Sequence, residues 1–244
     1  MMRHSREQGS PEDQYLSYGD VCLTVEDINC LKADDWLTDN NIAFYEEYLE
    51  HVELVRHPSA NIILLRPSIS YLIACTQDLS TIMSALPPLR GATHIFIPIN
   101  DNPNPEVAEG GTHWSLLVVG VADRVAFHYD SLQDTNDLQA RDMTRRLEAL
   151  LGSRLRFMWL PDTPQQENTA DCGVHVCMNM KYLLLHRLLQ GFSHQSVDMS
   201  MGGKRQDASH GRREMLKLIE KLRSRALRSG SPGGGKENSP PRIA

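Results

Sequence analysis

A chain of 244 residues, 41% apolar and 23% charged, is long enough to bury a core of its own and too apolar to be disordered throughout. A formal net charge of −6 argues against a generic nucleic-acid binder, and five cysteines fit a reduced cytoplasmic or nuclear chain better than a disulfide scaffold. The N-terminus lacks the apolar stretch of a secretory signal and no run reaches the ~18 apolar residues of a membrane span, so no membrane partner is expected.

The charge is unevenly spread. Residues 204–244 hold eleven Lys and Arg against four Asp and Glu, a local +7, which leaves −13 on residues 1–203. Residues 1–13 read as a flexible N-terminus and 14–228 as one folded domain. The Gly/Ser/Pro-rich stretch 229–244 reads as a disordered tail.

In chain order, Trp36-Leu-Thr-Asp39 opens a helix that Thr38 or Asp39 can cap, with Ile42, Tyr45, Leu49 and Val52 as its buried stripe. Residues 62–65 read as a short buried strand. Pro67 starts a helix to about Cys75, and Asp78 another to Leu86, stopped by Pro87 and Pro88. Strands follow at 94–99, 114–119 and 124–129. The polar stretch 100–112 is too long for a tight hairpin and reads as a mobile loop. A helix over 136–151, a strand over 155–160 and a loop over 161–171 lead to a helix over 172–189. Its first half carries Val174, Val176, Cys177, Met178 and Met180, apolar nearly all round, which predicts a central, buried position. The last helix, 209–227, has a Met215, Leu218/Ile219, Leu222, Ala226 stripe and a basic opposite face. Helices, then a strand cluster, then helices make an α+β chain.

Cys172 opens the central helix, where the positive end of the helix dipole favours a thiolate. Most lone cysteines are buried packing residues, so position alone does not decide its role. Gly173 beside it leaves room for a substrate backbone. If 120–123 is a four-residue turn, Val119 faces Arg124 and His113 faces Asp130 on one side of the sheet. A two-residue loop would instead pair His113 with residue 132. A carboxylate beside an imidazole orients the ring and favours its charged form. Cys172, His113 and Asp130 together offer a nucleophile, a general acid and its orienting group. The Gln166 amide and the Cys172 backbone N–H are candidate oxyanion donors. A zinc site is disfavoured: Cys172, His175 and Cys177 do not share a helix face, and no C-x₂-C pair exists. The chemistry calls for no cofactor.

Gly-Thr-His113-Trp114-Ser, Phe-His-Tyr-Asp130-Ser and Gln165-Gln166-Glu-Asn-Thr-Ala-Asp171-Cys172-Gly173 resemble, jointly and in order, the ubiquitin-like-protein-specific cysteine proteases of the sentrin/SUMO protease and adenain group. The resemblance runs from about Leu16 to about Leu227. It implies a papain-like fold of the adenain type, a mixed sheet packed by helices with the nucleophile at a buried helix N-terminus. It implies a triad of His113, Asp130 and Cys172 with Gln166 in the oxyanion hole. It makes Trp114 the cover of the substrate's Gly-Gly tail, Trp36 a second aromatic wall, and Asp39 a modifier-contacting carboxylate.

The long stretch from Ile99 through Asn102 to Trp114 resembles the deneddylase branch, in which this loop closes over the modifier's tail. Asn102 is thereby a candidate substrate contact. The implied function is cleavage after the C-terminal glycine of a Nedd/Rub modifier, in precursors and in conjugates such as cullins, by a monomer. SUMO or ubiquitin is the alternative modifier. An acetyltransferase using the same Cys, His and acid is the alternative chemistry, and a binding module with a dead site the remaining one. Pro103, Pro105 and the basic C-terminal extension depart from the branch. Lys236-Glu-Asn in the tail matches a short degradation signal, and Ser231 and Ser239 each precede a proline.

Overall fold

The computed structural model describes residues 9–33, 35–102, 110–133, 135–190, 197–228 and 242–243. A five-stranded mixed sheet forms the centre, in the order β3 (Ile62–Leu64), β4 (His94–Asn100), β5 (Trp114–Gly120), β6 (Val125–Tyr129), β7 (Arg156–Trp159). The inner three strands are antiparallel, and β3 and β7 join the edges in parallel.

Side chains alternate across this sheet with the period of two that a pleated strand imposes. Ile95, Ile97 and Ile99 of β4, with Leu117 and Val119 of β5, face one core under α3 (Pro67–Cys75) and α4 (Asp137–Leu151). Phe96, Leu116 and Val118 face the other core, beneath α2 (Asp39–Val52), α5 (Cys172–Tyr182) and α6 (Ala208–Arg228). Sandwiched between β5, α2 and α6, α5 buries Val174, Val176, Cys177 and Met180, so its all-round apolar pattern has a packing cause. It runs on as a π-helical turn, Leu183–Leu188, rather than as the uniform helix expected to 189.

Two regions differ from expectation. A hairpin of β1 (Gln14–Tyr18) and β2 (Val21–Thr24), followed by α1 (Val25–Lys32), precedes the first expected helix. Gly19 makes its turn at φ 54°, a conformation that favours glycine, and a Cβ there would displace the Glu47 carboxylate. The helix expected over 78–86 is two short 3₁₀ turns, Leu79–Thr81 and Met83–Ala85. Asp78 takes the Ser80 N–H and hydroxyl, and the Thr81 hydroxyl donates to the Asp78 carbonyl. These local bonds compete with α-helical ones.

At the ends, residues 10–13 are tied to the start of α1 by Val25 N–H to Asp13 O and Glu26 N–H to Pro11 O. Within 229–244 only Arg242–Ile243 are described, and they pair in parallel with β1 as β8. Lys236-Glu-Asn, Ser231 and Ser239 lie outside the described residues. Among the described residues no helix is long and apolar enough to cross a membrane.

Candidate active site

Three chain segments meet at Cys172. The first is the end of the β4–β5 loop. The Asp101 carboxylate accepts the N–H groups of Thr112 (2.6 Å) and His113 (2.9 Å) and the Thr112 hydroxyl (2.6 Å), so the main chain carrying His113 is fixed. The second is the end of β6, which delivers Asp130. The third is the N-terminus of α5, whose first residue is Cys172.

The sheet register is offset by two residues from the pairing of Val119 with Arg124, and is the one in which His113 would extend to residue 132. Gly120 pairs with Val125 and Leu116 with Tyr129, so the ladder sets Ser115, not His113, opposite Asp130. His113 sits two residues away on the same face, because the shift preserves parity. Just beyond the paired strands the two side chains lean together: His113 Nε2 lies 2.6 Å from Asp130 Oδ1.

Both are buried, His113 at 3% exposure and Asp130 at 1%, as is Cys172 at 1%. Burial pushes the Asp130 carboxyl up. Hydrogen bonds from His113 and from the N–H groups of Asn136 (2.9 Å) and Leu132 (3.0 Å) prevail and hold it below the ordinary carboxylate range. Burial likewise pulls the His113 imidazole down, but its hydrogen bonds to Asp130 and Cys172 outweigh this and raise it to about 9. With Nε2 committed to Asp130, Nδ1 is the nitrogen left for the sulfur. At neutral pH the ring is therefore an imidazolium held between a carboxylate and the Cys172 sulfur. An imidazolium beside sulfur favours the thiolate, the form that attacks carbonyl carbon.

Asn136, at the head of α4, was not singled out from sequence. It is fully buried, and its Nδ2 donates to Ile99 O (3.2 Å), His113 O (3.3 Å) and Ser115 Oγ (3.2 Å) while its N–H serves Asp130. One asparagine thus braces both members of the His–Asp pair. Its only sequence signal was a position at a predicted helix start.

Gln166 is half-buried on the loop before α5. Its Oε1 accepts the Ser131 hydroxyl (2.8 Å) and its Nε2 donates to Asn168 O (2.6 Å), which fixes the amide and leaves one Nε2 hydrogen to give. The Cys172 N–H, at the first turn of α5, has no intrahelical acceptor.

Trp36 stands 44% exposed, with Nε1 donating to Thr169 O at 2.8 Å, so it leans on the same loop. Trp114 is half-buried at the head of β5, next to His113. Asp39 lies exposed in the first turn of α2, which Thr38 caps through a reciprocal pair with Asn41. Buried Asp27 accepts the Thr38 hydroxyl (2.5 Å) and so sets where that turn sits. Asn102 is half-buried, its N–H bonded to Asn100 Oδ1 at 2.9 Å; Pro103, Pro105 and the rest of 103–109 lie outside the described residues.

Gly173 packs against the segment that carries Trp36. It is buried, and a Cβ there would come within 2.9 Å of Leu37 Cβ. The missing side chain makes room for Leu37.

Residues 35–215 match the Ulp1 protease family, C-terminal catalytic domain. The chain belongs to that family. It is 36% identical over 223 residues to the NEDD8-specific protease 2 of Schizosaccharomyces pombe, covering 89% of this chain and 53% of that protein. The chain thus spans about half the length of that relative. It is 32% identical over 225 residues to the NEDD8-specific protease 1 of Arabidopsis thaliana, covering 89% and 97%. Among solved structures it resembles the C-terminal Ulp1 protease domain in complex with Smt3, the yeast ortholog of SUMO, at a TM-score of 0.61 and 20% identity, covering 87% and 89%, a likeness of fold. The α+β fold expected from the sequence is the one this family has.

Proposed function

We propose that this Ulp1-family chain is a cysteine isopeptidase that cleaves after the C-terminal Gly-Gly of a ubiquitin-like modifier of the Nedd/Rub class, from precursors and from conjugates that include cullins. The observation that carries the chemistry is the 2.6 Å His113–Asp130 contact with Cys172 on the remaining ring nitrogen. The modifier class rests on the relatives named NEDD8-specific proteases.

In this reading Cys172 Sγ attacks the carbonyl carbon of the modifier's last glycine. The oxyanion is met by the spare Gln166 Nε2 hydrogen and the Cys172 N–H. His113 then gives its Nδ1 proton to the departing lysine amine, which leaves a thioester. Neutral His113 next takes a proton from water, which attacks the thioester and frees the glycine carboxylate and Cys172. Asp130 keeps the ring oriented through both halves. Trp36 and Trp114 wall a slot that a Gly-Gly tail can enter, and Asp39 and Asn102 contact the modifier. Five free cysteines support work in a reducing compartment, cytoplasm or nucleus.

The test is hydrolysis of fluorophore conjugates of NEDD8, SUMO and ubiquitin. The NEDD8 conjugate is expected to turn over fastest, with loss of all turnover in Cys172→Ala. Equal turnover of SUMO overturns the modifier assignment, and undiminished turnover in Cys172→Ala overturns the mechanism.

A further inference from the structure

Arg212 is a cation buried to 2% exposure, in line with the Met215, Ile219, Leu222 and Ala226 stripe that α6 buries. Its guanidinium reaches three separate segments. Nη1 donates to Cys30 O (2.9 Å) at the end of α1, and Nη2 to Asp35 O (2.6 Å), the residue before Trp36. Nη2 also donates to Ala170 O (3.0 Å), and Nε to Asp171 Oδ1 (2.8 Å), the residue before Cys172. Asn168 Nδ2 holds the other Asp171 oxygen at 2.7 Å.

α6 can bring Arg212 this deep because its neighbour is Gly211. A Cβ at Gly211 would meet Met178 Sδ at 2.7 Å and Val174 Cγ1 at 2.8 Å, so the α5–α6 crossing is set by the absent side chain. A glycine inside a helix is unfavourable on its own account, and here the close approach explains it.

We propose that Arg212 is a positioning residue for the reaction, a clamp that fixes the turn carrying the nucleophile and the segment carrying Trp36 relative to each other. The inference rests on the assignment of Cys172 as nucleophile. The two clamped segments already touch through Trp36 Nε1 and Thr169 O, so the wall of the Gly-Gly slot and the sulfur share one support. The Arg212 charge also offsets the Asp171 carboxylate, which would otherwise stand uncompensated one residue from the sulfur. A lysine keeps the charge but cannot present a planar fork to acceptors on three sides.

The experiment compares Arg212→Lys, Arg212→Gln and Asp171→Asn in the full chain. It reads kcat and KM on a modifier–fluorophore conjugate, Tm, and the rate of Cys172 alkylation by iodoacetamide against pH. Both arginine variants are expected to lose about tenfold or more in kcat, since misplacing a reacting group by about 1 Å can cost about 100-fold, and to raise KM through Trp36. Arg212→Gln is expected to move the acid limb of alkylation to higher pH, and Asp171→Asn to lower pH. Opposite shifts are the signature of the charge pair; general loosening would move both the same way. The clamp is overturned if the variants lower Tm while kcat, KM and the alkylation limb stay within twofold of the parent. It is equally overturned by limbs that move in one direction. If Arg212→Gln does not fold, Arg212→Lys decides by kcat and KM against Tm, and Asp171→Asn by whether its alkylation limb moves to lower pH. Loss of turnover in Cys172→Ala with parent-like Arg212→Lys removes the clamp alone; full turnover in Cys172→Ala removes the nucleophile assignment with it.

Discussion

Asp101 and His113 hold each other across the mouth of the β4–β5 loop: the Asp101 carboxylate accepts the His113 N–H at 2.9 Å, and the Asp101 N–H donates to His113 O at 3.3 Å. Burial pushes the Asp101 carboxyl up, but the bonds from Thr112 and His113 prevail and leave it below the ordinary carboxylate range. The acid is therefore ionised throughout the neutral range and the backbone of the imidazole is pinned there. Asp101→Ala is expected to lower kcat/KM by roughly 10- to 100-fold, since each charge-assisted bond contributes about 1.5–3 kcal/mol. Steady-state kinetics on a NEDD8–fluorophore conjugate measures this. Unchanged kinetics would show that the loop base does not position His113.

The His113 proton sets an alkaline limit. Its pKa is raised to about 9, so the imidazolium is intact at neutral pH and is lost as pH rises through that value. The stabilisation from the Asp130–imidazolium pair follows the same sign: complete below the unfolded value near 6.5 and lost towards pH 9. We expect kcat/KM to fall on the alkaline side with a midpoint near 9. In Asp130→Asn the midpoint should move down, because the carboxylate that holds the proton is gone, and kcat should fall on the order of 10³-fold or more. A pH–rate profile that keeps its alkaline limb in Asp130→Asn would contradict the pairing.

Gly173→Ala separates packing from substrate access. The new methyl lands 2.9 Å from Leu37 Cβ, a stiff part of that side chain. Overpacking of this kind costs typically about 1–3 kcal/mol, so thermal denaturation should show a lower Tm. Leu37 adjoins Trp36, so some rise in KM is expected alongside it. A large rise in KM at unchanged Tm would instead assign Gly173 to the substrate slot.

How much of this was legible beforehand depends on range. The His113, Asp130 and Cys172 segments are legible because each lies at the end of an apolar run that fixes its element and because the three motifs occur jointly and in order; the register error is two residues, an even number that keeps His113 and Asp130 on one face. The hairpin Gln14–Thr24 was missed although Gly19-Asp20 between two apolar runs is a turn signal. The stretch 78–86 fits a helix by its apolar residues and the Pro87-Pro88 stop, while its Asp, Ser and Thr side chains bond locally instead. Arg212 was illegible. In sequence it is a cation in line with the Met215, Ile219, Leu222, Ala226 stripe, and its acceptors are backbone carbonyls and one acid that lie 41 to 182 residues away. Nothing in a local window reports a contact of that kind. The same holds for Gly173, whose neighbour Leu37 meets it only in the folded chain.

The α5–α6 crossing gives a prediction in which two effects oppose. Alanine at Gly211 should favour the helix by about 0.5–1 kcal/mol. The same Cβ must find space 2.7 Å from Met178 Sδ and 2.8 Å from Val174 Cγ1. Met178 is flexible and half-buried, so its sulfur can move; Val174 is β-branched, fully buried and stiff, so its methyl cannot without shifting α5. Overpacking at about 1–3 kcal/mol therefore outweighs the propensity gain, and Gly211→Ala should lower Tm. The helices separate in that variant, Arg212 is drawn back from Asp171, and kcat should fall with stability. Trimming the obstacle in Gly211→Ala/Val174→Ala should recover part of kcat even though the second change removes buried apolar volume of its own. Recovery of activity without full recovery of Tm ties the crossing distance to the placement of Cys172; a double variant that loses both further would show that α6 contributes stability alone.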